Sequence, residues 1–163
     1  MKSALKFLIA FIIAASCAAV CYAQNDKQNL VQFGEVQCDS EMAKLDSIAD
    51  KLNSDSKLNA YVIVYAGQKD TKRNEVQVRG ARMRRYLVDI RGISSSRIKV
   101  VAGGFREKFT VEVWFVLQDE SEPEPTPTVK EKKVRFRKGL MDTWEEPGCF
   151  PDRKPIPFVN ASK

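Results

Sequence analysis

The spacing of apolar and polar residues changes period repeatedly between Leu30 and Leu117, and each change marks an element. Leu30 to Gln37 alternates, with Val31, Phe33 and Glu35 on one side and Leu30, Gln32 and Val36 on the other, which predicts a strand. Met42, Leu45, Ile48, Ala49 and Leu52 then recur at helical intervals. A helix follows, with Asp39 or Ser40 as its cap and Lys44, Asp46, Asp50 and Lys51 turned to water. Tyr61-Val62-Ile63-Val64-Tyr65 is β-branched or aromatic throughout, the pattern of a strand covered on both faces. A second helix is predicted over 75–90, its stripe made by Val76, Gly80, Met83, Leu87 and Ile90, with Arg79, Arg82, Arg84 and Arg85 on the other side. Gly92 stands where a left-handed residue ends such a helix. Two further strands, over 97–102 and 109–117, flank Gly103-Gly104 and Arg106-Glu107-Lys108 and predict an antiparallel hairpin.

The order β-α-β-α-β-β predicts an α+β two-layer sandwich, a mixed four-stranded sheet with two helices on one face. The opposite face would carry Trp114 and is too apolar to stay open. Residues 24–117 make up this domain. Residues 118–133 are acidic and proline-rich, with little to bury, and predict an extended linker. Residues 134–163 form an irregular tail in which Pro147, Pro151, Pro155 and Pro157 exclude a regular helix or a central strand. Where linker meets tail, Lys132 to Lys138 interleaves basic and apolar side chains, which fits a short edge strand guarded by charge or a binding strip.

The first residues place this domain in a compartment. Lys2 and Lys6 precede an apolar run, Phe7 to Ala15, that is short for a bilayer span. Cys21-Tyr22-Ala23 offers a cleavage point before Gln24, so residues 1–23 read as a secretory signal. An uncleaved anchor is one competing reading. Lipid attachment at Cys17 is another, against which Ala14-Ala15-Ser16 lacks the usual branched residue. The mature chain then has no transmembrane segment, and its destination is the periplasm or cell envelope.

Charge and composition narrow the chemistry. Residues 71–109 hold 11 basic and 3 acidic side chains, a net of +8, whereas 24–70 carries −3 and 110–163 carries −1. A segment so basic suits an anionic partner or a solvated surface. Outside the cytoplasm an anionic envelope polymer is a more fitting partner than nucleic acid. The chain has no histidine, which excludes the commonest general base, every Ser-His or Cys-His pair and histidine metal sites. The expectation is a non-enzymatic protein with no cofactor.

Removal of the signal takes Cys17 and Cys21 with it and leaves Cys38 and Cys149. In an oxidising compartment two such cysteines are expected to pair, the alternatives being a bridge to another molecule or two free thiols. The closed loop would be worth roughly 4–5 kcal/mol in chain entropy. It would fasten the tail, with Leu140, Trp144, Phe150, Ile156 and Phe158, over the open face of the sheet or a groove beside it.

Several short motifs add a resemblance. Leu45-Asp46-x-Ile48-Ala49-x-x-Leu52, Gly67-Gln68-Lys69-Asp70, Arg79-Gly80, Tyr86-Leu87, Gly92-Ile93 and Arg97-Ile98 fall in the order and positions of matching motifs in the outer-membrane-protein-A C-terminal (OmpA-like) domain family. The stretch from Phe33 to Val116 resembles a divergent member. That resemblance implies peptidoglycan binding without catalysis. Asp70 would take the ammonium of diaminopimelate and Arg79 its carboxylate, a pairing suited to a forked guanidinium. The chain departs from the family where the ligand sits. The loop between the two motifs is about six residues shorter, the family's Asn-x-x-Leu-Ser stretch is replaced by Lys72, Glu75 and Val76, and Gln68 and Lys69 replace histidine and threonine. The rival readings make Asp70 a helix cap, Arg79 a solvated arginine, and the chain a protein-interaction module that kept the fold without the site.

Overall fold

The computed structural model describes residues 29–141. The signal region, Cys149, Trp144, Phe150, Ile156, Phe158 and the four tail prolines lie outside the described residues. Contacts divide the chain after Val31; of the first unit only residues 29–31 are described, and Gln32–Lys163 is the second.

Among the described residues six strands and two α-helices follow one another: β1 (Leu30–Phe33), α1 (Cys38–Ser54), β2 (Leu58–Gly67), β3 (Lys69–Thr71), α2 (Glu75–Arg85), β4 (Ile98–Arg106), β5 (Thr110–Leu117) and β6 (Arg135–Phe136). The main sheet is mixed and runs β1-β5-β2-β4, with both helices forming the second layer. This is the α+β two-layer sandwich that the element order predicts.

β4 and β5 are not partners, which corrects the predicted hairpin. β2 lies between them, parallel to β4 and antiparallel to β5. The reason is β2 itself. Eight successive residues, Ala60 to Gly67, are buried, and a strand so apolar is satisfied only in the middle of a sheet. The 107–109 connection crosses the end of β2, where Gln68 N–H donates to Glu107 O at 3.4 Å. A Cβ on Gly67 would stand 3.2 Å from Phe109 N, so glycine lets the two segments cross closely without a shift.

Register assigns the faces. Val62 opposes Val113, Val64 opposes Val111 and Ala60 opposes Phe115 on the helix side, and Tyr61 opposes Trp114 on the other. α1 buries Leu45, Ile48, Ala49 and Leu52 as its spacing predicts. Its first turn begins at Cys38, so Asp39 and Ser40 are inside the helix and Gln37 is the N-cap. Glu41 N–H bonds Gln37 O at 2.9 Å and closes the turn early. α2 presses Gly80 against β2 and β4; a Cβ there would lie 2.7 Å from Val100 Cγ1. A π-helical turn, Tyr86–Ile90, extends α2 and closes on Gly92 at φ 70°. The wider turn rotates Tyr86 and Leu87 inward and leaves Ile90, expected in the stripe, 40% exposed.

Among the described residues the open face has a cover. Tyr61, Ile63 and Tyr65 form a buried cluster there with Val101 and Trp114 beside it. The acidic, proline-rich segment lies across it as a strap. Tyr61 Oη donates to Glu122 at 3.3 Å, and Thr126 N–H donates to Tyr65 Oη at 3.0 Å. Arg106 Nη2 donates to Thr126 Oγ1 at 2.7 Å, and Thr128 and Val129 N–H both donate to Phe105 O. Leu140, proposed as part of the cover, is 65% exposed.

Candidate functional site

At the C-terminal end of β2 the chain makes a short strand, β3, that turns away from the main sheet. Asp70 in its centre has φ 58°, the left-handed conformation that aspartate tolerates better than most residues. Its side chain is exposed. Asp70 is not a helix cap: α2 starts after Asn74, four residues on.

Glu75 organises the turn that follows. Its carboxylate, on a residue only 7% exposed, accepts Thr71 Oγ1–H at 2.6 Å and Lys72 N–H at 3.2 Å. Its other oxygen lies 3.0 Å from Arg79 Nε. Arg79 is buried as well, at 6% exposure, and its Nη2 meets Glu35 Oε1 at 2.7 Å while the guanidinium lies over the Phe109 ring at 4.4 Å. Arg82, the next arginine inward, pairs with buried Glu41 at 3.2 Å. Neither is a solvated surface arginine, because an unpaired guanidinium at this depth would carry a large desolvation cost.

The tail reaches this site. β6 runs parallel to β3, with Arg135 N–H donating to Gln68 O at 2.8 Å and Arg137 N–H to Thr71 O at 2.9 Å. Gln68 Nε2 donates to Lys133 O at 3.3 Å. Asn74 closes the far side, donating Nδ2–H to Met141 O at 2.9 Å and accepting Met141 N–H at 2.6 Å. Phe136 anchors the strand, edge-on to Phe105 at 5.8 Å and under Arg73 at 4.5 Å. The basic strip is thus a short edge strand.

These pieces enclose a groove of about 1410 Å³. Asp70 and Arg79 both line it, so two residues nine apart in sequence converge on one cavity. The lining has seven cationic side chains, Lys69, Lys72, Arg79, Arg82, Lys108, Arg137 and Lys138, against the carboxylates Glu35, Asp70, Glu75 and Glu107. A net of +3 favours an anionic ligand, while exposed Asp70 offers a place for an ammonium. The sequence reading missed Glu75 and the two tail cations as site residues. The only available signal for the cations was the alternation of Lys132 to Lys138.

Cys38 is the first residue of α1. Cys149, its expected partner, is outside the described residues. Among the described residues no cluster of three or more histidine, cysteine, aspartate or glutamate side chains is placed to hold a metal ion. No helix among them is long and apolar enough to cross a membrane. No family model matches the chain, and no curated protein matches it.

Proposed function

We propose that this is an exported, non-enzymatic cell-envelope domain of the OmpA-like type, and that the groove beside β3 holds the peptide stem of peptidoglycan. One observation carries the reading: Asp70 and Arg79, the two positions matched to the family's ligand residues, line the same groove despite the shortened loop. The excess of cations around it suits a ligand rich in carboxylates. The order of elements and the mixed sheet are in keeping with the family resemblance. Pairing of Cys38 with Cys149 belongs to the same proposal and fits an oxidising compartment.

Co-sedimentation of the mature chain with purified peptidoglycan tests the proposal. Retention of the wild type, lost in Asp70→Ala and reduced in Arg79→Ala, is the expected result. A wild type that stays in the supernatant removes peptidoglycan as the ligand.

A second reading is favoured by a different observation. Arg79 already has two carboxylate neighbours, and the chain's own tail takes the edge of β3. Both features suit a protein-interaction module that kept the fold and gave up the polymer. Unchanged co-sedimentation in both variants, with a reproducible cross-link to one envelope protein, decides for that reading.

A further inference from the structure

Among the seven cations of the groove, beside Lys69, Lys72 and Lys108, two pairs differ in what else they do. Arg79 and Arg82 are committed to the fold, at 2.7 and 3.0 Å from Glu35 and Glu75 and at 3.2 Å from Glu41. A ligand carboxylate arriving at Arg79 has to compete with Glu35, already in hydrogen-bond contact. Arg137 and Lys138 are exposed on the rim of the same groove.

Their backbone is held, however. The segment from Arg137 to Met141 is clamped to the Asp70 turn at both ends, by Arg137 N–H on Thr71 O and by the paired bonds between Asn74 and Met141. Gly139, at φ 82°, makes the bend between the clamps. The two cations therefore ride on a fixed arch that lines the same groove as Asp70, and little further backbone ordering is needed when they meet an anion.

We propose that Arg137 and Lys138 are the carboxylate-binding residues of this site, and that the tail thereby takes over the part that the family resemblance gives to Arg79. The proposal rests on the groove being a peptide-stem site. Its ligand is a peptide carrying two or more free carboxylates and one free amine, the amine meeting Asp70 and the carboxylates the arch. Arg79, held by Glu35 and Glu75, positions the floor of the groove.

The test is titration calorimetry of the mature chain with a soluble tetrapeptide stem containing diaminopimelate, at fixed low salt. The variants are Arg137→Gln/Lys138→Gln, and Lys132→Gln/Lys133→Gln as a control that removes two exposed tail charges outside the groove lining. Loss of one or two charge-assisted contacts weakens binding by about tenfold or more, so the first variant is expected to bind at least tenfold more weakly. The control is expected to change affinity by less than about twofold, since exposed charges that do not line the groove are screened by solvent and salt. Equal losses in both variants reduce the effect to net charge and overturn the proposal. So does wild-type affinity in the first variant, or a tightening beyond tenfold in Glu35→Gln, which would return the anchor to Arg79. A wild type that binds no stem peptide overturns the reading of the groove itself, and the proposal with it.

Discussion

Glu75 is the residue on which the candidate site and the fold depend together, and replacing it gives the sharpest test of the structure. In Glu75→Ala the Thr71 hydroxyl, on a residue 2% exposed, loses its acceptor, and Arg79 loses one of two neighbouring carboxylates. Breaking a buried ion pair from one side costs about 3–5 kcal/mol. Glu35 still faces the guanidinium, so the lower end applies, about 3 kcal/mol. Glu75→Gln keeps the shape and an acceptor for Lys72 N–H and removes only the charge, so roughly 1–2 kcal/mol is expected. Urea unfolding followed by circular dichroism measures both. With a slope of about 2 kcal/mol/M, the alanine variant should unfold about 1.5 M earlier at an unchanged slope. A double-mutant cycle with Arg79→Gln should return a coupling of at least about 1 kcal/mol. A loss under about 1 kcal/mol for alanine, or a coupling near zero, would refute the claim that Glu75 and Arg79 form a buried pair under the groove.

Three further outcomes follow from the same geometry. Gly103→Ala would put a Cβ 2.5 Å from the fully buried Tyr65 ring, which Arg106, Glu112 and Thr126 hold in place, so a loss of about 2–3 kcal/mol is expected in the same unfolding assay. Phe136→Ala removes an edge-on aromatic contact and a cation–π contact worth together about 1–2 kcal/mol, and amide exchange at Arg135 and Arg137 should quicken about tenfold with little change in the global midpoint. The strap should be pH-sensitive at both extremes. The hydrogen bond from Lys99 lowers the Glu122 carboxyl below its ordinary value, and the same bond raises the Lys99 ammonium. The anchoring is thus present above the usual carboxylate range and lost as pH falls through the lowered value. At the alkaline end it is lost as pH rises through the raised lysine value. Trp114 fluorescence in a Trp144→Phe background should report both steps, and a flat profile in Glu122→Gln is the control.

Much of this protein was legible along the chain because its signals are local. Helical spacing placed the buried face of α1, an unbroken β-branched and aromatic run placed the central strand, and Gly92 marked the end of the second helix. The convergence of Asp70 and Arg79 was legible only through family resemblance, since nothing in their spacing specifies a shared groove. What failed was whatever depended on partners distant in sequence. The hairpin was expected from a turn-like linker, but the choice of neighbour went to β2, the strand that must be covered on every side. Arg82 read as a solvated charge because its carboxylate, Glu41, lies in a segment the local pattern does not connect to it; for Arg79 the distant partner is Glu35, while Glu75, four residues back, was a local signal left unused. The acidic, proline-rich stretch read as linker because it buries little of itself. Its bonds to Tyr61, Tyr65 and Arg106 exist because the outer face of the sheet offers them. Composition and period determined the elements and the sign of the charge; only the tertiary fold decided which charges were spent on each other and which were left on the rim of a groove.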